Sequence, residues 1–156
     1  MADFQTISDI GELGLLDRLF QFCPTNLVGD DAAVMDMPVE RQLVVTTDVL
    51  VDGVHFSDLT TSPEDIGWRA IAVNLSDLAA MGARPEGVTV GLSLPGTTRL
   101  DWIEAVYQGM AACLTQWGGS LIGGDLCRSD IVSLAITALG SSEPDRVLYR
   151  HTAEPG

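Results

Sequence analysis

Four short acidic stretches interrupt otherwise apolar segments of this chain: Gly29-Asp30-Asp31, Thr46-Thr47-Asp48, Asn74-Leu75-Ser76-Asp77 and Gly123-Gly124-Asp125. Whatever fold the chain adopts must leave those carboxylates compensated, because an unpartnered charge in apolar surroundings is costly. Basic partners are scarce. The chain has no lysine, only 8 arginines, and a formal net charge of −14. Acids at element ends with so few cations nearby point to hard divalent ions, which take oxygen ligands from Asp, Thr and carbonyl groups. Through such ions the chain would hold a phosphate compound.

The charge also excludes partners. Nucleic-acid backbones and anionic membrane surfaces need a basic stripe, and none exists here. Three cysteines, Cys23, Cys113 and Cys127, lack CxxC spacing and read as reduced thiols of a cytoplasmic protein. The first residues lack the basic and apolar regions of a signal peptide. There is no GxxxxGK[ST], no GxGxxG after a strand and no GxSxG elbow, so Walker-type, dinucleotide and serine-hydrolase readings fall away.

Local patterns predict the order α, β, β, α, β, α, β, β. A first helix is expected over 10–21, capped by Ser8 or Asp9 and stopped at Pro24. Strands are expected over 32–37 and 43–50, with a turn from Pro38 between them. Ser62-Pro63-Glu64-Asp65 opens a helix that runs to about Met81, with Gly82 beyond its end. Strand 88–94 follows. Thr98-Arg99-Leu100-Asp101 resembles a capping box for a helix ending at Trp117. A short extended piece, 120–122, leads into the glycine pair, and the last strand spans 131–139. Trp68, Trp102 and Trp117 fall on helices and read as core or interface residues. Residues 1–140 thus form one domain. From Ser141 the composition turns polar, so 141–156 reads as a linker into a second domain of a longer protein.

Each acidic station has a plain alternative: a Gly-Asp turn, a strand terminus, a glycine turn. Asp77 resists it most. Its helix is apolar nearly all round between Ile71 and Met81, which predicts burial, and an acid near a helix C-terminus opposes the dipole. Two glycines before Asp125 would let a phosphate approach the backbone. Taken alone, His55 reads as a structural histidine and Arg150 as a solvated charge more readily than as functional residues.

Taken together, Gly29-Asp30-Asp31-Ala32-Ala33-Val34, the run Thr46 to Phe56 (TTDVLVDGVHF), the run Ala72 to Ala83 (AVNLSDLAAMGA) and Gly123-Gly124-Asp125 resemble the thiamine-monophosphate kinase family of the aminoimidazole-ribonucleotide-synthetase-like superfamily. The resemblance implies an α+β fold: a mixed, mainly antiparallel sheet of about four strands, helices on one face, pairing across a homodimer. It implies transfer of the γ-phosphoryl group of ATP to thiamine monophosphate, a step in thiamine biosynthesis, assisted by several magnesium ions. Carried over by motif, Asp31, Thr46, Thr47, Asp48, Asp77 and Asp125 would be metal ligands. Gly124, Asp125 and Arg150 would contact ATP, and His55 the thiamine phosphate, with no protein nucleophile. Leu126 departs from the family, which often has Thr there, and the chain ends where the family's second domain begins. The alternatives are a sister enzyme, an aminoimidazole ribonucleotide or selenophosphate synthetase, or a non-catalytic metal- and nucleotide-binding dimerisation domain.

Overall fold

A computed structural model describes residues 4–29, 31–37 and 39–152. Asp30, Pro38 and the terminal Pro155-Gly156 turn lie outside the described residues. Helix α1 spans Ile7–Phe20, β1 Gln42–Val51, α2 Pro63–Ala80, β2 Arg84–Leu94, α3 Leu100–Trp117, β3 Leu121–Arg128 and β4 Ser133–Ser142.

The four strands form one sheet in the order β1-β4-β2-β3. β4 is antiparallel to both β1 and β2, whereas β2 and β3 run parallel. Parallel neighbours need a crossover rather than a hairpin, and α3 supplies it. β1 and β2 also run in the same direction, joined through α2, with β4 inserted between them. This is the mixed, mainly antiparallel α+β architecture expected from the sequence. α2 lies across β1, β4 and β2 and packs against α3, so the helices cover one face.

Side-chain alternation separates the two faces. On β1, Leu50 is 3% exposed while Val45 is 55% and Val49 46%. Val44, Thr46, Asp48 and Leu50 therefore turn towards the helices, and Leu43, Val45, Thr47 and Val49 turn away. Beneath the helices sits a continuous core built around Ile66, Ile71, Leu78, Val88, Ile103, Met110, Leu134 and Ile136. Glycine sets the helix spacing. A Cβ on Gly67 would run into the Val106 carbonyl oxygen, and one on Gly109 into the Glu64 carbonyl oxygen.

Several local expectations need correction. Residues 32–37 form no strand, because among the described residues they have no strand neighbour; Val34 is 85% exposed. α1 begins three residues earlier than expected, capped by Thr6, whose N–H and hydroxyl both donate to Asp9 at 2.7 Å. Its start is fixed by tertiary bonds from Ile7 N to Thr98 O (3.1 Å) and from Ser8 N to Gly96 O (2.8 Å). Gly11 then breaks its regularity with φ of 68°. The Thr98 capping box does not form: Arg99 is the cap, and it takes the Asp101 carboxylate itself. Leu100 N instead finds Gln5 O at 3.0 Å. Ser62 does cap α2, accepting from Asp65 N at 3.1 Å. β4 reaches Ser142, so the polar segment opens with two buried serines. Among the described residues no helix is long and apolar enough to cross a membrane.

Candidate functional site

β1 is an edge strand, and the last turn of α2 ends above its covered face. There Thr46 Oγ1 donates to Asp77 Oδ2 at 2.8 Å. Asp48, two residues along β1, is half-buried on the same side. Adjacent oxygens in an octahedral magnesium shell stand about 3 Å apart, given metal–oxygen distances of about 2.1 Å. The Thr46–Asp77 pair therefore fits one edge of such a shell. Neither Asp48 nor Asp77 appears among the four ion pairs found between described residues. The last turn of α2 carries no basic residue either.

Asp77 is not buried, contrary to the expectation from its apolar helix. Ser76, Asp77, Ala79 and Ala80 are all exposed, and burial falls on Ile71, Asn74, Leu75 and Leu78. The alanines are apolar yet face solvent, so composition overstated the burial. Asn74 is the polar group that is sealed in: Nδ2 donates to Ala70 O at 2.9 Å, and Oδ1 has no partner among the described residues.

The remaining candidates lie elsewhere. Thr47 points to the open face, where its hydroxyl meets Thr137 Oγ1 at 2.6 Å and donates to Ile136 O at 2.9 Å. Asp125 lies on β3, the opposite edge of the sheet, where it pairs with Gly91 of β2. Three strand spacings separate it from β1, about 14 Å, so one ion cannot join Asp125 to Asp48 within a chain. Asp31 is exposed in the irregular segment between α1 and β1. Among the described residues no three His, Cys, Asp or Glu side chains are grouped to hold an ion unaided.

Gly123-Gly124-Asp125 is not a turn. β3 runs through it, with the register slipping between Leu121 and Gly123. Gly123 has φ of 152°, and a Cβ on Gly124 would strike the Val90 carbonyl oxygen. The pair is thus required by the sheet as well as open to a ligand. Beside it, between α1 and β3, is a cleft of about 50 Å³ lined in part by Tyr107, Cys23 and Asp125. Tyr107 was not singled out from the sequence, where it is one apolar position of α3. Its phenol is 6% exposed, burial pushes its pKa well above the ordinary range, and its hydroxyl has no hydrogen bond to the described residues. Its oxygen is not sealed in, since among the described residues Asn74 Oδ1 is the buried side-chain atom left without a partner, so water can meet the phenol.

His55 sits in a tight turn. Val51 N donates to its Nδ1 at 3.0 Å, and Arg69 donates to its carbonyl oxygen. Because Nδ1 accepts, the ring proton resides on Nε2, which is left to donate outward. Arg150 begins a short 3-10 turn, Arg150–Thr152, after Leu148 N bonds to Met81 O at 3.1 Å. That bond folds the segment after β4 back onto the end of α2, the end that carries Asp77. Gly82 permits it with φ of 69°, since a Cβ there would crowd Arg146 and Leu148.

Comparison with known proteins agrees with this architecture. Residues 29–142 match the AIR synthase related protein, N-terminal domain. The chain is 55% identical over 156 residues to a thiamine-monophosphate kinase of Synechococcus elongatus, covering 100% of this chain and 47% of that protein. The crystal structure of thiamine-monophosphate kinase from Stenotrophomonas maltophilia superposes with a TM-score of 0.73 at 45% identity, covering 87% of this chain and 42% of that one. A structure of AaThiL complexed with AMPPCP and TMP gives 0.71 at 31% identity, covering 97% and 48%. The chain spans about half the length of the curated relatives it matches.

Proposed function

The chain belongs to the AIR synthase related proteins as an N-terminal domain, and we propose that it is the metal- and nucleotide-binding half of an enzyme that phosphorylates thiamine monophosphate with ATP. The observation that carries this is the Thr46–Asp77 contact, with Asp48 on the same face and, among the described residues, no cation paired to either acid. Hard oxygens without a counter-ion, in a chain of net charge −14, suit magnesium shared with substrate phosphates. The identity to thiamine-monophosphate kinases along the entire chain supports the choice of acceptor.

Thr46, Asp48 and Asp77 would hold magnesium on one edge of the sheet, and Asp125 on the other, with Thr47 and Asp31 as the remaining ligands in the set. Magnesium bound there supplies charge neutralisation between two polyanions. The protein's own part is alignment. His55 donates through Nε2 to the acceptor phosphate, and Gly124, Asp125, Arg150 and Tyr107 contact ATP. The acceptor oxygen is already ionised, so the site needs no general base and no protein nucleophile.

The open face of the sheet, with Leu43, Val45 and Val49 exposed, is assigned to a second copy of the chain, giving a homodimer. The polar segment read from the sequence as 141–156 would lead into a second domain that completes the site. The three free thiols accord with a cytoplasmic protein.

Product analysis tests the reading. The full-length protein, supplied with magnesium, ATP and thiamine monophosphate, should yield ADP and thiamine diphosphate in equal amounts. Hydrolysis of ATP without thiamine diphosphate would point instead to a sister synthetase. The 156-residue chain alone should show no significant turnover.

A further inference from the structure

Two backbone hydrogen bonds in series join the metal edge to the segment after β4. Met81 N donates to Asp77 O at 3.1 Å, and Met81 O in turn accepts from Leu148 N, also at 3.1 Å. The next residue is pressed from the same side. A Cβ on Gly82 would lie 2.8 Å from Arg146 O and 3.3 Å from Leu148 Cγ, so the returning segment packs directly on the glycine. Gly82 O is held as well, accepting from the hydroxyl of Ser142, which is buried.

The segment carries its own braces. Glu143 takes Arg146 at 2.9 Å and Arg41, just before β1, at 3.5 Å. Arg146 N closes a 3-10 turn on Glu143 O at 3.0 Å. Beyond Leu148, Thr152 bonds Tyr149 O twice, through N at 3.1 Å and through Oγ1 at 2.8 Å. Arg150 lies inside that second turn, exposed and in no ion pair among the described residues. Two residues reach at most about 7 Å, so the bond at Leu148 limits where the backbone of Arg150 can lie relative to Met81. An arginine meant for a phosphate in a chain of net charge −14 gains from such fixing, because the geometry of its fork decides the strength of the contact.

We infer that the contact of Leu148 with Met81 and Gly82 is a latch that positions Arg150 for the nucleotide phosphates and ties it, through the backbone of Asp77, to the metal edge. Leu148 and Gly82 are positioning residues that act through Arg150. The inference rests on the ATP contact proposed above and adds the device that places it.

Nucleotide affinity of the full-length protein tests this, measured by isothermal titration with magnesium and a non-hydrolysable ATP analogue. Leu148→Ala, a truncation at a side chain 55% exposed, should weaken binding about tenfold, the lower range for losing a hydrogen bond to a charged group. Leu148→Met, which keeps the volume, should restore most of it. Gly82→Ala, pressing on the Arg146 carbonyl oxygen, should weaken binding at least as much as Leu148→Ala. In an Arg150→Ala background both changes should have almost no further effect, because residues that act through one contact are not additive. Losses of undiminished size in that background, or affinity untouched by the Leu148 and Gly82 variants, overturn the inference. Thiamine diphosphate formation by the unmodified protein is measured alongside. Latch-dependent nucleotide binding without that product sinks the acceptor reading and leaves the latch; product with affinity unmoved by the latch variants does the reverse.

Discussion

The two faces of the sheet were built to different ends. Under the helices, Val88, Ile103, Met110, Leu134 and Ile136 are sealed completely, and the α2–α3 crossing is so close that Gly67 and Gly109 admit no side chain. On the other face, Leu43, Val45 and Val49 stand half in water, beside a row of hydroxyls at Thr47 and Thr137. One layer is a finished core, and the other exposes apolar side chains on the face proposed above for a second copy of the chain. The metal candidates divide along the same line: Thr46, Asp48 and Asp77 belong to the covered side, Thr47 and Asp125 to the open one.

Asp77→Asn in the full-length enzyme separates chemistry from folding most sharply. Turnover should fall roughly a hundredfold or more, the scale of losing a preorganised charge contact, while the denaturation midpoint barely moves because Asp77 is exposed. Asp48→Asn should behave similarly. Near-normal activity in either would refute the metal assignment.

Gly109→Val attacks the covered layer. It should cost about 3 kcal/mol in urea unfolding, the upper range for overpacking, because the backbone of α2 blocks the new side chain. Val45→Asp attacks the open face. It should leave monomer stability within about 0.5 kcal/mol yet weaken self-association in sedimentation velocity. A dimer unchanged by Val45→Asp would mean that the cover lies elsewhere.

The smallest effect is at the start of α1. Bonds from Thr6 hold the Asp9 carboxyl below its ordinary range. Its stabilising share is present above the unfolded value of about 3.9 and is lost as pH falls through the lowered folded value. Amide exchange of residues 7–10 should quicken there, and Asp9→Asn should abolish the pH dependence.

Much of this was legible because local chemistry decided it. Ser62-Pro63 starts α2 through its own hydroxyl, and Gly82 ends it through a positive φ. What escaped the sequence was set by distant neighbours. Thr6 rather than Ser8 starts α1 because the loop before α3 reaches back to bond it. Residues 32–37 have strand-like composition but, among the described residues, no strand beside them. The glycine pair at Gly123 reads as a turn until β2 is seen pressing on Gly124. Of the site, each acid was visible, but the placement was not. Alternation along β1 sends Thr46 and Thr47 to opposite faces, and strand order, unreadable from the chain, puts Asp125 across the sheet. Tyr107 was hidden because a helical aromatic is ordinarily core.

The most direct test is an anomalous difference map from crystals of the full-length protein grown with manganese and a non-hydrolysable ATP analogue. A manganese peak bonded to Thr46, Asp48 or Asp77 is the expected result. Peaks confined to other residues, with the Thr46–Asp77 hydrogen bond left intact, would contradict it.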